Sequence, residues 1–395
     1  MRALAFLLLA ALAGCARGFR SDPEPRWSAD LAPLRLFGNT GTVDTISRGV
    51  LHRRFLATEG PWAVNVLDVD RAACWNAVAA KGATGAIGRY KTSELASILV
   101  RQAEIAGGVN ADFFLYAPPG VPTGAHISRG RLVTGPAGRP AFAVLSDGRP
   151  WIGTIGVAGV ASSAQDSIPV VAWNRLSSDG LAWFDHSYGE SVDTLSGSIR
   201  VAISGAEGLV QSIDTAQSPT TILSSGGVLV LGPRAAAADR QRFLIAARAR
   251  GQFTVSVHTT PVTPREAVGG FPVLVHDSTE VAGLDSAGAP TFAPVRHPRT
   301  LIGIAARGRR LLLVTIDGRQ PGYSAGTTNR ETARIAMALG ATEAINLDGG
   351  GSTTMVVARQ GVDSTRYEIV NKPSDPAGER PVGNALLVRK EKQSC

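Results

Sequence analysis

The stretch from Leu311 to Val357 reads LLLVTIDGRQPGYSAGTTNRETARIAMALGATEAINLDGGGSTTMVV, and its pattern decides how the chain is expected to fold. Leu311–Ile316 is an unbroken apolar run of strand length, closed by Asp317 and Gly318. Thr328 followed by Glu331 has the spacing of a helix-capping box, and Gly340 stops that helix. Ala344–Leu347 and Met355–Val357 then read as two further strands. A strand–helix–strand unit of this length predicts parallel neighbours joined by a right-handed crossover. Asp317 and Asp348 would leave the sheet at one edge, the edge where α/β sheets bind ligands.

The turn after Asp348 sharpens that expectation. Gly349, Gly350 and Gly351 permit backbone conformations closed to other residues and let a ligand approach the main chain. Successive N–H groups in such a turn can form an anion-binding nest, and Ser352, Thr353 and Thr354 add hydroxyls. A carboxylate beside such a cradle suits a ligand with both a sugar and a phosphate. The same residues also suit a tight turn that Asp348 merely caps.

Working outward, Arg299 in HPRT (His297–Thr300) offers a planar fork for a phosphate, or a surface ion pair. Arg319, Gln320 and Tyr323 follow Asp317. In GGVNADFF (Gly107–Phe114), Asn110 and Asp112 fall on one face if the segment is a strand. Phe113 and Phe114 read as core. Upstream, TSELASILVRQAEIAGG reads as an amphipathic helix with Ser93 as N-cap and Leu95, Ile98, Leu99 and Ile105 on one face. Ala238–Gly251 has the pattern of another helix. Residues 140–295 carry many short apolar runs separated by Gly, Ser and Asp, the composition of hairpins, so this middle section is expected to be β-rich.

With 395 residues and 44% apolar content the chain can bury a large core. Its net charge of +8 is dispersed, and no aromatic-basic RNA motif or zinc-finger spacing occurs, so nucleic acid is not an expected partner. Nothing has the sequence form of a serine-hydrolase elbow or a phosphate-binding P-loop, and the histidines are far apart without metal-binding spacing. Residues 1–14 read as a signal peptide, with Leu12-Ala13-Gly14-Cys15 resembling a bacterial lipobox. Cys15 is the expected lipidation site and anchors the chain to a membrane. Ala16 after it fits outer-membrane sorting toward the periplasm. Residues 15–50 are expected to be a tether and 51–390 one domain. An oxidising compartment permits a disulfide between Cys74 and Cys395.

Five ordered motifs carry a resemblance: GGVNADFF, HPRTLIGI, LLLVTIDGRQPGYSAGTT, INLDGGGSTTMVV and VNKPSD with ERPVGNALLV. Together they are similar to the phosphodiester glycosidase family, with WNRLSSDGLAWFDHSYGESVDT resembling its middle section. The resemblance implies an α+β fold, mixed, around a curved central β-sheet with a few flanking helices. It also implies hydrolysis of a sugar-1-phosphodiester of the N-acetylglucosamine type at the glycosidic bond. By position it implicates Asp348, Asp317 and Arg299 in catalysis. Substrate binding would fall to Asn110, Asp112, Arg319, Gly349, Gly350, Gly351, Ser352, Thr353, Asn371, Arg380 and Asn384. Asp112 stands where the family usually has Gly. The expected partner is a glycosyl phosphodiester or envelope polysaccharide, with no cofactor required. Two alternatives stay open: a phosphodiesterase whose Asp317 and Asp348 hold Mg²⁺ or Ca²⁺, and a non-catalytic exopolysaccharide-binding lipoprotein.

Overall fold

The computed structural model describes residues 41–57, 61–82, 85–164, 166–193, 195–205, 207–215, 218–249, 251–288, 294–360 and 365–391. The signal-peptide stretch, Cys15 and Cys395 lie outside these residues. Cys74 is disulfide-bonded.

The capping box forms as its spacing predicts. Thr328 Oγ1 accepts from the Glu331 N–H at 3.2 Å, and the Glu331 carboxylate accepts from the Thr328 N–H at 3.0 Å. The helix Asn329–Ala338 follows, and Gly340 leaves it with φ +93°. The strands on either side, Arg310–Ile316 and Ala341–Asn346, are not neighbours. Strand Arg299–Ala305 lies between them and pairs antiparallel with both, Arg299 opposite Ile316 and Leu301 opposite Asn346. The expected parallel pairing is therefore absent, because the hairpin partner of Arg310–Ile316 takes the central place. Yet both outer strands still run the same way, so Asp317 and Asp348 emerge at one edge, where Arg299 enters.

These strands are the centre of an eight-stranded sheet that continues through Trp62–Asp70, Val50–Ala57 and Thr42–Ser47 on one side and Val273–His276 on the other. Every pairing in it is antiparallel. Thr42–Ser47 lies within the stretch expected as a tether; it pairs with Val50–Ala57 across the turn at Gly49.

Alternating side chains of this sheet enter two cores. Leu301, Leu312, Val314 and Ile316 pack under the helix with Ala333, Ile335 and Ala336. Ile302, Ile304, Leu311 and Leu313 face the opposite way and meet Val109, Met355, Val357, Leu386 and Val388. Those partners belong to a five-stranded antiparallel sheet in the order Thr365–Ile369, Met355–Gln360, Ile105–Asn110, Ala385–Lys390, Trp75–Ala80. Its outer face is covered by the helix Thr92–Leu99. The arrangement is thus helix, sheet, sheet, helix. The β-rich mixed character agrees with expectation, and the strands that carry the site belong to two stacked sheets.

A second five-stranded sheet, built on Pro140–Leu145 and Pro264–Gly269, also joins the inner core through Phe142, Val144 and Val268. The middle section forms a seven-stranded sheet backed by the helix Ala237–Arg248, with a core of its own around Phe243 and Leu229.

The helix at residue 92 differs from its sequence reading. It ends at Leu99, and Ile105 starts the next strand. Lys91 is the N-cap; Ser93 instead gives its hydroxyl and its N–H to the Glu379 carboxylate, the N–H at 2.9 Å. That strand ends at Asn110, so Asp112 lies beyond it rather than two places along one face.

Candidate active site

Two strand ends from different sheets meet through one backbone bond. The Asp348 N–H donates to the Ala111 carbonyl at 2.7 Å, which brings Asp112 beside Asp348. Asp348 is partly exposed and Asp112 is buried. Burial pushes the Asp348 carboxyl up to about 7, opposed by the Ser352 hydroxyl and the Gly349 N–H, and the Asp112 charge raises it further. Burial likewise lifts Asp112 to about 6, against the Gly124 N–H at 2.6 Å and the charges of Arg139 and Arg175. The backbone N–H of Asp112 is fixed at 2.8 Å by the side-chain oxygen of Asn384, whose amide nitrogen lies 3.0 Å from His126 Nδ1.

The glycine turn carries guanidinium groups on its open side. A Cβ on Gly351 would sit 2.5 Å from the guanidinium carbon of Arg380, and one on Gly350 would sit 3.5 Å from that of Arg319. Gly350 also holds φ +61°. The missing side chains are what let two arginines lie against the turn, where burial first and then the charge of Arg380 depress the proton affinity of Arg319. Arg380 is steadied by Asp375 at 2.7 Å. Arg319 Nη2 lies 3.1 Å from His297 Nδ1. Arginine only donates, so Nδ1 is the acceptor and the imidazole is neutral. Burial and two neighbouring arginines, Arg299 first, hold His297 down to about 4. Its place beside the site was not read from the sequence, where it was one of six scattered histidines.

The turn's own N–H groups form less of a nest than expected. That of Gly349 goes to the Asp348 carboxylate and that of Gly350 to the Pro298 carbonyl at 2.8 Å. The positive character of the cradle comes from Arg319 and Arg380.

Other expected ligands instead hold the site together. Asn110 is fully buried; its amide donates to the Asp348 carbonyl at 2.7 Å, and its oxygen accepts from Thr300 Oγ1 at 2.8 Å and the Thr354 N–H at 3.0 Å. Arg299 points inward: Nε donates to the Thr327 carbonyl at 2.9 Å and Nη2 to that of Val295 at 3.2 Å. It is a loop clamp here, not a fork turned toward solvent. Asp317 accepts from Asn371 Nδ2 at 2.9 Å, the Lys372 N–H at 3.0 Å and the Tyr323 hydroxyl at 3.0 Å. Asn371 in turn accepts from the Met355 N–H at 2.8 Å and donates to the Thr353 carbonyl at 3.1 Å. With both oxygens of Asp317 surrounded by donors, a metal shared between Asp317 and Asp348 does not fit. Ser352 and Thr353 are buried in the turn, and the Thr353 hydroxyl has no partner among the described residues.

At the opposite end of the same strands, His276, Asp277 and Glu343 bring ligand atoms within 4.8 Å of one another. His276 and Glu343 also line a cavity of about 420 Å³ together with Trp151 and Arg307. Asp348 is not part of it. Among the described residues no helix is long and apolar enough to cross a membrane.

The sequence model of the phosphodiester glycosidase family matches residues 198–389. No curated protein matches the chain. A hypothetical protein from Synechocystis has a similar structure, with TM-score 0.73 and 20% identity over 89% of this chain. The chain spans 64% of that protein's length. A Burkholderia pseudomallei protein described as exported is 28% identical, with TM-score 0.65, over 84% of this chain and 75% of its own. The catalytic domain of zebrafish N-acetylglucosamine-1-phosphodiester alpha-N-acetylglucosaminidase, auto-inhibited by its pro-peptide, is matched at TM-score 0.45 and 15% identity, over 90% and 85% of the two chains. Asp348, the glycine turn, Arg319 and Arg380 all fall inside residues 198–389, the segment that matches the phosphodiester glycosidase family.

Proposed function

We propose that the chain is a glycosidase that hydrolyses glycosyl-1-phosphodiesters, with Asp348 as the reacting carboxylate and Arg319 and Arg380 as the phosphate holders. The observation that carries this reading is the adjacency of a carboxylate of raised proton affinity to two guanidinium groups lying on a side-chain-free turn. A phosphate monoester is a stable leaving anion, so its departure needs positive charge more than a proton. The two arginines supply that charge where it develops. Ionised Asp348 then takes a proton from water as the water adds to the anomeric carbon, or adds there itself before water displaces it. In either case the C–O bond breaks, the sugar gains a hydroxyl and the electron pair leaves with the phosphate. Asp112 touches no substrate in this scheme; its charge raises the proton affinity of Asp348, and Asn384 and Gly124 position it. Asp317, Asn371, Asn110 and Arg299 set the geometry of the turn.

The sugar is read as N-acetylglucosamine-like from the family alone. An envelope location rests on the signal-peptide pattern before Cys15 and on the exported description of the Burkholderia relative.

The test is hydrolysis of an N-acetylglucosamine-α-1-phosphodiester in ¹⁸O-water, followed by mass spectrometry of both products. Label in the sugar is expected. Label in the phosphate would mean P–O cleavage and overturn the glycosidase assignment. No product across a panel of glycosyl phosphodiesters would leave binding without catalysis.

A further inference from the structure

Arg380 faces two ways. Beside its contact with Gly351 it lines an open cavity of about 660 Å³, together with Arg89, Tyr116, Pro119 and Pro381. Three separate loops supply these walls, and one side chain fastens all three. The Lys81 ammonium donates to the carbonyl of Gly88 at 3.1 Å, of Gly120 at 3.0 Å and of Gly383 at 2.7 Å. Main-chain bonds reinforce the junction: the Gly88 N–H reaches the Pro119 carbonyl at 2.7 Å, and Tyr90 and Val382 exchange bonds at 3.0 and 2.8 Å. The cleft is therefore built before any ligand arrives, which lowers the ordering cost of binding.

Its chemistry is specific. The Tyr116 ring is 73% exposed, an unusual position for a large aromatic without a role, and the Arg89 guanidinium stands 5.9 Å from its centroid. No carboxylate among the described residues pairs with Arg89. An aromatic face between prolines accepts the apolar face of a sugar ring, and a guanidinium with no carboxylate partner among the described residues accepts an anion. Arg380 touches both the glycine turn and this cleft, so an anion held by it lies between Asp348 and the cleft walls.

We infer that the cleft formed by Arg89, Tyr116, Pro119 and Pro381 is the subsite for the leaving side of the substrate, and that it selects a sugar carrying a second anionic group. The substrate class is then an anionic glycosyl-phosphate polymer or its fragments, not a phosphodiester with a small neutral alcohol. The inference rests on the phosphodiester reading of the site.

Calorimetry with the purified protein tests it through three probes that need no turnover: inorganic phosphate, glucose 6-phosphate and fructose 1,6-bisphosphate. Each step of that series is expected to tighten Kd by about tenfold, as the sugar and then the second anion are engaged. Tyr116→Ala removes the first gain, and Arg89→Ala removes the second while Arg89→Lys restores part of it. Both side chains are exposed, so folding is not at stake. Equal affinity for the three probes, no binding of any, or variants that keep both gains would overturn the subsite. If the gains appear but no glycosyl phosphodiester is cleaved, the subsite stands and the reaction is wrong. If small neutral phosphodiesters are cleaved and the gains are absent, the reaction stands and the subsite is wrong.

Discussion

At the scale of single residues, the chemistry concentrates on one proton. Burial raises the Asp348 carboxyl from 3.8 to about 7, so the folded protein holds that proton more tightly than the unfolded chain does. The resulting stabilisation is complete below pH 3.8 and is lost as pH rises to about 7, because the ionised carboxylate is the costly form. Asp348→Asn should therefore abolish turnover, by about a thousandfold or more, while melting at or above the parent temperature at pH 8. A variant that is inactive because it melts far below the parent would point to a structural role instead. The acid limb of kcat/KM should lie near pH 7, since the ionised form acts. Asp112→Asn removes the like charge and should move that limb to lower pH; an unmoved limb would separate the two carboxylates. The place of Asp348 at a strand end before a tight turn was legible from the sequence, because an apolar run closed by a carboxylate and followed by three glycines marks both. The direction of Arg299 was not. Whether an arginine turns to solvent or to buried carbonyls depends on what packs over it, here the loop at Thr327.

Among the elements, the segment Asn329–Ala338 shows how far local signals reach. Thr328 and Glu331 cap each other as the spacing demands, and the Glu331 carboxylate also holds Arg296 at 2.7 Å. Thr328→Ala should cost about 1 kcal/mol, read as a lower midpoint in urea with an unchanged slope. A loss of a few tenths would mean that packing under the helix, rather than its cap, sets its stability. The pairing of the flanking strands was beyond local reach. Two strands joined by a helix usually become neighbours, but a hairpin partner four residues away in the chain, Arg299–Ala305 across the turn to Arg310, claims the intervening position. The edge at which the aspartates emerge survives that change because an even number of antiparallel steps restores direction.

For the whole molecule, the two stacked sheets share one core, and neither is contiguous in sequence. Composition foretold strands but not their division into layers, since alternation along a strand buried on both faces disappears: eight of the nine residues of Trp62–Asp70 are buried. Removal of the chain from Asn384 onward should abolish the cooperative thermal transition, because it deletes the strand between Ile105–Asn110 and Trp75–Ala80. A truncated protein with a sharp melt would show that the strand is an accessory.

The strand Ala385–Lys390 also ties the site to segments far away in the chain. Ala385–Lys390 inserts between two segments from the first third of the chain, and Asn384 just before it holds Asp112. The gap beside Ile105–Asn110 is closed only when this distant strand reaches it, whatever the middle sheet has already formed. Folding rates fall when such distant partners must meet. The carboxylate pair is therefore completed by a contact of long sequence separation, and a folding intermediate that lacks this strand has no finished cleft.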